Sequence, residues 1–300
     1  MQALPAGADL AGMGGLNCSV PTSAGNNPAL AAEVSELDFR TGIYGAWYGA
    51  GFKNGPAVSI GVTTAGTKAG PGVLKLNYYQ VFSGSGKVKS PLDPVNISGE
   101  SLEIAYGLKL CDKLLAGISI NPLSESYSEA KVGGMKIGDG RSNGNGVTIG
   151  LLYSPIEKLH LGVMYNHGDQ NVVSHTLGFK SRENVSTDFI RAGVTVEPWK
   201  GATFGAEWLG GITDNARSKP DDQVSKVFFG GEQWLTEEFA VRLGCYDGSL
   251  SCGAGVALGK RHNFWLDYAY IARPAKDLEP FWGGSNMHIL ACCVAFGHSK

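Results

Sequence analysis

Charge is what this chain has least of. Asp, Glu, Lys and Arg make up 17% of its 300 residues, against about 25% in ordinary soluble proteins. The formal net charge of -2 offers no basic footprint for nucleic acid. Long apolar runs are also missing: the best, residues 288–296, is about half the ~18 that a membrane helix needs. Helical periodicity is nearly absent, and no HExxH occurs. His167, Asp169, Ser174 and His175 stand close in sequence, yet polar neighbours in one connection are common, so no catalytic residue is assigned and an enzyme is not expected. Cys18, Cys111, Cys245, Cys252, Cys292 and Cys293 show no metal-ligand spacing, and neither do the histidines, so neither metal nor cofactor is expected. The opening MQALPAGADLAG lacks the basic and apolar regions of a signal peptide, as in a protein that is not exported or in a mature form with a starting Met.

Glycine, by contrast, is abundant: 44 residues, about twice the usual ~7% share. The glycines have no three-residue period, which excludes collagen, and an aromatic content of 10% argues against wholesale disorder. The dominant pattern is strict alternation. Leu102, Ile104, Tyr106, Leu108 and Leu110 are separated by small or charged residues, and the pattern recurs at Val147–Tyr153, Leu159–Tyr165, Ile190–Val196 and Phe264–Tyr270. Such a period of two predicts strands with one apolar face.

The connections between strands alternate too. Short ones such as LCDKLLAGI (110–118), YSPIEKLHLG (153–162) and WLTEEFAVRLG (234–244) stand between polar stretches at about 84–99, 122–145, 168–187, 212–223 and 273–286, which are expected to be long loops. With the short turns as fixed points, fourteen strands fit between residues 39 and 297. An even count places both chain ends on the short-turn side, and about ten residues per strand suits a tilted crossing of ~25 Å of hydrocarbon. The reading is an all-β fold, a transmembrane antiparallel β-barrel of the bacterial outer membrane occupying residues 39–300. A soluble propeller or sandwich fits less well, because there is no blade repeat and the polar face is rich in Gly, Ala, Ser and Thr rather than Lys and Glu. Cys245 and Cys252 flank a turn at Gly248 and Ser249 and are the one candidate disulfide.

Residues 1–38 break the pattern. They are small and little charged, with a helical candidate from Pro28 to about Leu37, capped by Asn27 and begun by Pro28. A barrel this wide leaves an interior to be filled, and residues 1–38 are expected to form an N-terminal luminal plug.

The run AGMGGLN (Ala11–Asn17), with Gly12, Met13, Gly14 and Gly15, followed by NNPALA (Asn26–Ala31), with Asn27 and Pro28, resembles the start of the FadL family of outer-membrane hydrophobic-compound transporters and its PorV-like short relatives. Family members carry a glycine-rich AxGMGGA segment and a WNPAGLA-like motif. The aromatic before Asn-Pro is here Asn26. The resemblance implies a fourteen-stranded barrel with a hatch in the lumen. It also implies passive uptake of long-chain fatty acids or hydrocarbons, released sideways into the bilayer after the hatch shifts. Membrane lipid, lipopolysaccharide and a hydrophobic ligand are the implied partners. The PorV-like alternative is an assembly or scaffold barrel that meets other outer-membrane or periplasmic proteins and transports nothing. Bulky apolar residues on the lumen parity or in the hatch, Leu10, Met13, Tyr79, Leu152, Met164, Phe189, Leu209 and Trp265, are the candidates for a ligand pocket. Arg191, Arg242, Glu207 and Asp267 are the candidate luminal polar residues, expected to pair across strands or hold the hatch, with carboxylate binding by Arg191 or Arg242 as the sharper alternative.

Overall fold

Period-two alternation becomes strand along nearly its whole length. The computed structural model describes residues 8–13, 15–20, 27–33, 38–48, 58–82, 96–176, 178–215, 222–258, 263–272 and 286–297. Its strands are β1 (Asp38–Tyr48), β2 (Val58–Ala69), β3 (Gly72–Phe82), β4 (Asn96–Cys111), β5 (Leu114–Val132), β6 (Met135–Ile156) and β7 (Leu159–Thr176), then β8 (Phe179–Val196), β9 (Ala202–Asn215), β10 (Asp222–Trp234), β11 (Phe239–Tyr246), β12 (Ser249–Leu258), β13 (Phe264–Ile271) and β14 (Met287–Gly297). Each pairs antiparallel with its sequence neighbours, and β1 pairs with β14 from Asp38↔Gly297 to Tyr48↔Met287, closing a fourteen-stranded barrel with no free edge.

The register gives each strand an outer and an inner face. Tyr153, Leu151, Ile149 and Val147 of β6 lie opposite Leu161, Val163, Tyr165 and His167 of β7, and all but the last form an apolar outer band. Exposed large hydrophobics such as Ile149, Val163 and Ile190, each about half exposed (50%, 47% and 48%), form a belt that bulk water would not tolerate. The inner face carries Gly150, Gly162 and Gly193 in the same rows.

Two expectations are corrected in the wall. The polar stretches 122–145 and 168–187 are not long loops: β5 and β6 pair as far as Val132↔Met135 around a turn at Gly133 and Gly134, and β7 and β8 pair as far as Thr176↔Phe179. The wall therefore stands tall at β5–β8, with strands of 18–22 residues, and low at β11 and β13, with eight each. Above the apolar band both faces of the tall wall are polar, which removes the hydrophobic signal of a strand while the ladder of hydrogen bonds continues. The candidate disulfide is also not formed: Cys245 lies opposite Leu250 and Cys252 opposite Leu243, two rows apart, and both thiols are free.

In the N-terminal segment, a one-turn helix, α1 (Ala8–Gly12), is followed by an extended run and then by a 3₁₀ helix at Pro28–Glu33. The latter is tighter than the helix expected to Leu37; residues 34–37 lie outside the described residues, as does Gly14. Asn27 caps it as the sequence suggested, its Oδ1 accepting from Ala29 N–H at 3.1 Å. Leu10–Met13, Leu16, Cys18, Val20 and Asn27–Ala31 are buried against the inner wall.

Candidate functional site

The seat of the N-terminal segment is a row of glycines on the inner face. Gly107 lies opposite Gly117, and Gly117 opposite Gly150. Gly162 lies opposite Gly193, and Gly205 opposite Gly230. Backbone packs directly on backbone there. A Cβ on Gly117 would meet Pro28 at 2.3 Å, one on Gly150 the Asn27 side chain at 2.0 Å, one on Gly162 the Cys18 carbonyl at 2.1 Å and one on Gly230 the Met13 carbonyl at 2.4 Å. The segment thus follows the wall from α1 beside β11–β14 to the 3₁₀ helix beside β3–β6.

Charge fixes the middle of that path. Glu207 of β9, 2% exposed, accepts the successive backbone N–H groups of Asn17, Cys18 and Ser19 at 2.8, 2.7 and 3.0 Å, and the Ser19 hydroxyl at 3.1 Å. Consecutive N–H groups curled around one carboxylate make an anion nest. Arg191 completes it, its Nε 2.7 Å from Glu207 Oε2, its Nη2 donating to the Gly15 carbonyl and its guanidinium 4.5 Å above the Phe228 ring. The Asn27 amide ties the two ends together by donating to the Cys18 carbonyl at 2.8 Å and to the Leu151 carbonyl of β6 at 3.1 Å. Burial pushes the Cys18 thiol far above its ordinary range, and the thiol donates to the Gly162 carbonyl at 3.4 Å.

A second ion cluster lies beside α1. Arg242 donates to Glu232 Oε2 at 2.7 Å and, across the intervening strand, to Asp267 Oδ1 at 2.6 Å. Gly255 of β12 makes this reach possible: a Cβ there would stand 2.2 Å from the Asp267 oxygen. Arg191 and Arg242 are therefore both committed to wall carboxylates, and Lys226 pairs with Asp247 at 3.2 Å.

The eight apolar candidates do not converge on one pocket. Leu10, Met13 and Leu209 share a cluster with Leu16, Val20, Phe228 and Tyr246, while Leu152 packs with Ala29, Leu30 and Leu115 under the 3₁₀ helix. Tyr79, opposite Val62 and Ser101, Met164, opposite Gly150 and Arg191, and Trp265, opposite Ala257 and Cys293, lie in other inner rows; the Phe189 ring covers Gly211. Leu16, Val20 and Phe228 escaped the sequence reading because their contacts are long-range; the odd-even parity of Phe228 in β10 was the available signal. The polar residues near position 170 separate too. Ser174 shares the inner face with Gly140 and Ser181, whereas His175 bonds Asp139 and His167 bonds Asp188, each at 3.0 Å, on the outer face.

High on the tall wall, a cavity of about 630 Å³ is lined from β5, β6, β7, β8 and β9.

Neither a family model nor a curated protein matches the sequence. Solved structures do match the fold. The toluene transporter TbuX of Ralstonia pickettii superposes with a TM-score of 0.62 over 96% of this chain and 97% of its own, at 14% identity. The Pseudomonas putida toluene transporter TodX gives 0.62 over 96% of each chain at 10% identity. A Pseudomonas aeruginosa FadL homologue gives 0.57 over 97% and 98% at 12% identity. The fold is that of the FadL-type barrels, the family to which the AGMGGLN and NNPALA motifs point.

Proposed function

We propose that the protein is a bacterial outer-membrane barrel for passive uptake of hydrophobic small molecules, with the N-terminal segment as a hatch in its lumen. The observation that carries this reading is the seat of that segment. The segment rests on glycines of the inner wall, is packed at its two ends by the apolar clusters around Leu10, Met13 and Leu152, and is pinned in the middle at a few polar points, chiefly Glu207 and Arg191. Such a seat lets a segment slide or lift as one piece once those points yield. The apolar clusters around Leu10, Met13 and Leu152 then become surface that a hydrophobic solute can replace, at about 0.8 kcal/mol per buried CH₂. Burial of that size concentrates an apolar solute that a polar saccharide surface would repel. The solved toluene transporters named above share the fold, which supports the solute class.

The test is entry of labelled toluene and labelled laurate into lipopolysaccharide-bearing vesicles with and without the protein. Uptake several-fold faster with the protein, and altered by deleting residues 1–20, is the expected result. Equal rates with and without the protein would overturn the reading in favour of a scaffold barrel.

A further inference from the structure

The cavity high on the tall wall is framed by the outer face. Its lining takes Asn145, Asp169, Ser186 and Asp214 from one row across β6–β9, and Glu125, Asn143, Asn171 and Asn184 from the next row up across β5–β8. All eight share the parity of the outward-facing Val147, Tyr165 and Ile190. Within β6–β8 the inner-parity contributors are Gly144, Gln170 and Val185, which lie between those two rows, while their inner-face neighbours Ser142, Gly168 and Thr187 do not line it. The cavity therefore opens outward, as a groove. Its concavity comes from side-chain length: short Asn, Asp and Ser side chains lie below a row with Tyr127, Arg141 and Arg182 and above a row with His167 and Asp188. A bulge in β5, where Pro122 and Leu123 have no partner in β6, deepens one side.

The groove is continuous with the apolar band. Its lower row follows directly on Val147, His167, Asp188 and Ile212, and from Val147 to Asn143 the strand rises about 13 Å at ~3.3 Å per residue, or roughly 10 Å of height at a tilt of ~40°. A lipid packed on Ile149 and Val163 thus places its headgroup in the groove. Phospholipid headgroups form a layer only about 5–8 Å deep on each side of a bilayer, so the upper row suits a larger headgroup. The lining is matched to hydroxyls: four Asn amides that both donate and accept, and three carboxylates that accept. Asn143, Asn145, Asp169, Asn184 and Asp214 are exposed, and the Asn171 and Asn184 side chains lie 2.9 Å apart. Among the described residues the lining holds no Lys or Arg, so a lipid whose chief acceptor is a phosphodiester finds Asp169 and Asp214 instead. Arg141 and Arg182, both exposed, stand one row higher, within reach of an acidic group carried by an outer sugar.

We infer that this groove holds the sugar headgroup of an outer-leaflet glycolipid, whose acyl chains lie on the apolar band below. The inference rests on the outer-membrane setting of the proposed function and not on uptake, since the groove lies outside the lumen. Sugar hydroxyls exchange water for amides and carboxylates already held in two rows.

The experiment is native mass spectrometry of the detergent-purified barrel with added rough lipopolysaccharide, phosphatidylglycerol or phosphatidylethanolamine. Lipopolysaccharide should bind at least tenfold more tightly than either phospholipid. The double variant Asn145→Leu/Asn184→Leu removes two amides at exposed positions with little change of volume. It should lose at least tenfold in affinity for lipopolysaccharide and nothing for the phospholipids, with circular dichroism showing it folded. Core oligosaccharide released from the lipopolysaccharide should compete only weakly, because it lacks the chains that pack on the band. Phospholipid binding as tight as lipopolysaccharide binding, or lipopolysaccharide affinity unchanged in the variant, overturns the inference. Free oligosaccharide binding as tightly as lipopolysaccharide also overturns it, in favour of a soluble saccharide. Each of these failures leaves uptake standing, whereas equal toluene entry with and without the protein removes uptake and leaves the groove's preference for lipopolysaccharide in place.

Discussion

Glu207 shows how much one residue can carry in a chain so poor in charge. A buried carboxylate is costly unless its oxygens are fully engaged, and here three backbone N–H groups, a hydroxyl and Arg191 engage them. The arrangement is reciprocal, because Arg191 is itself mostly buried and depends on Glu207 and the Gly15 carbonyl. Glu207→Gln keeps the volume but presents an amide to donors and leaves Arg191 without its counter-ion. Removing one partner of a buried pair costs about 3–5 kcal/mol. The expected outcome is local: hydrogen exchange of the amides of Asn17, Cys18 and Ser19, followed by mass spectrometry, should quicken at least tenfold while the strand amides of β6 and β7 keep their protection. Unchanged exchange at residues 17–19 would show that the segment is held by packing alone.

At the scale of elements, the glycine row is the barrel's side of the same contact, and it predicts a graded response. Gly162→Ala places a methyl group 2.1 Å from the Cys18 carbonyl, where neither backbone can yield, whereas Gly168→Ala, three rows higher on the same face of β7, meets nothing closer than the Thr187 hydroxyl at 3.3 Å. Cys18 reports the difference, since its burial keeps the thiol protonated and out of reach. Peptide-resolved alkylation should find Cys18 inert in the unaltered protein and in Gly168→Ala but reactive in Gly162→Ala, with the exposed Cys111 as the reference. Alkylation of Cys18 at the same slow rate in all three would show that the segment is not seated on Gly162.

Much of this scale was legible in the sequence. The apolar half of every wall strand announces itself by alternation, because lipid on one side and lumen on the other impose a period of two. That constraint ends above the bilayer, so Ser124–Glu129 and Asp139–Asn145 read as loop although they are laddered strand. The Gly133-Gly134 turn, with φ of 56° and 81°, was the one local sign of a hairpin there. The inward parity of Arg191 and Glu207 was readable, but the nest was not: Glu207 meets Cys18 across 189 positions of chain, and nothing local to either residue points to the other.

At the scale of the whole molecule, the outer surface decides how the barrel sits. β6 has 22 residues, about 70 Å of strand at ~3.3 Å per residue, far more than a tilted crossing of ~25 Å of hydrocarbon requires. The band of Tyr153, Leu151, Ile149 and Val147 gives way to Asn145, Asn143, Arg141 and Asp139 along the same outer face. In β7 and β8 the change comes one outer row lower, after Tyr165 and Ile190, where Tyr165 and His167 both bond Asp188. A polar seam at nearly one level on adjacent strands is the signature of a membrane boundary, and it leaves the upper halves of β5–β8 standing in water. Depth can therefore be measured by charge. Ile149→Lys puts an ammonium near the middle of the band, where such a substitution costs ~2–4 kcal/mol, while Asn143→Lys lies above the seam and costs ~0–1 kcal/mol. In folding titrations into lipid vesicles, the urea midpoint should fall clearly for Ile149→Lys and stay within error for Asn143→Lys. In a detergent whose micelle adapts to the surface, the gap between the two should shrink. Equal midpoints in vesicles would mean that the outer band does not face lipid, and the membrane setting on which the uptake reading depends would have to be given up.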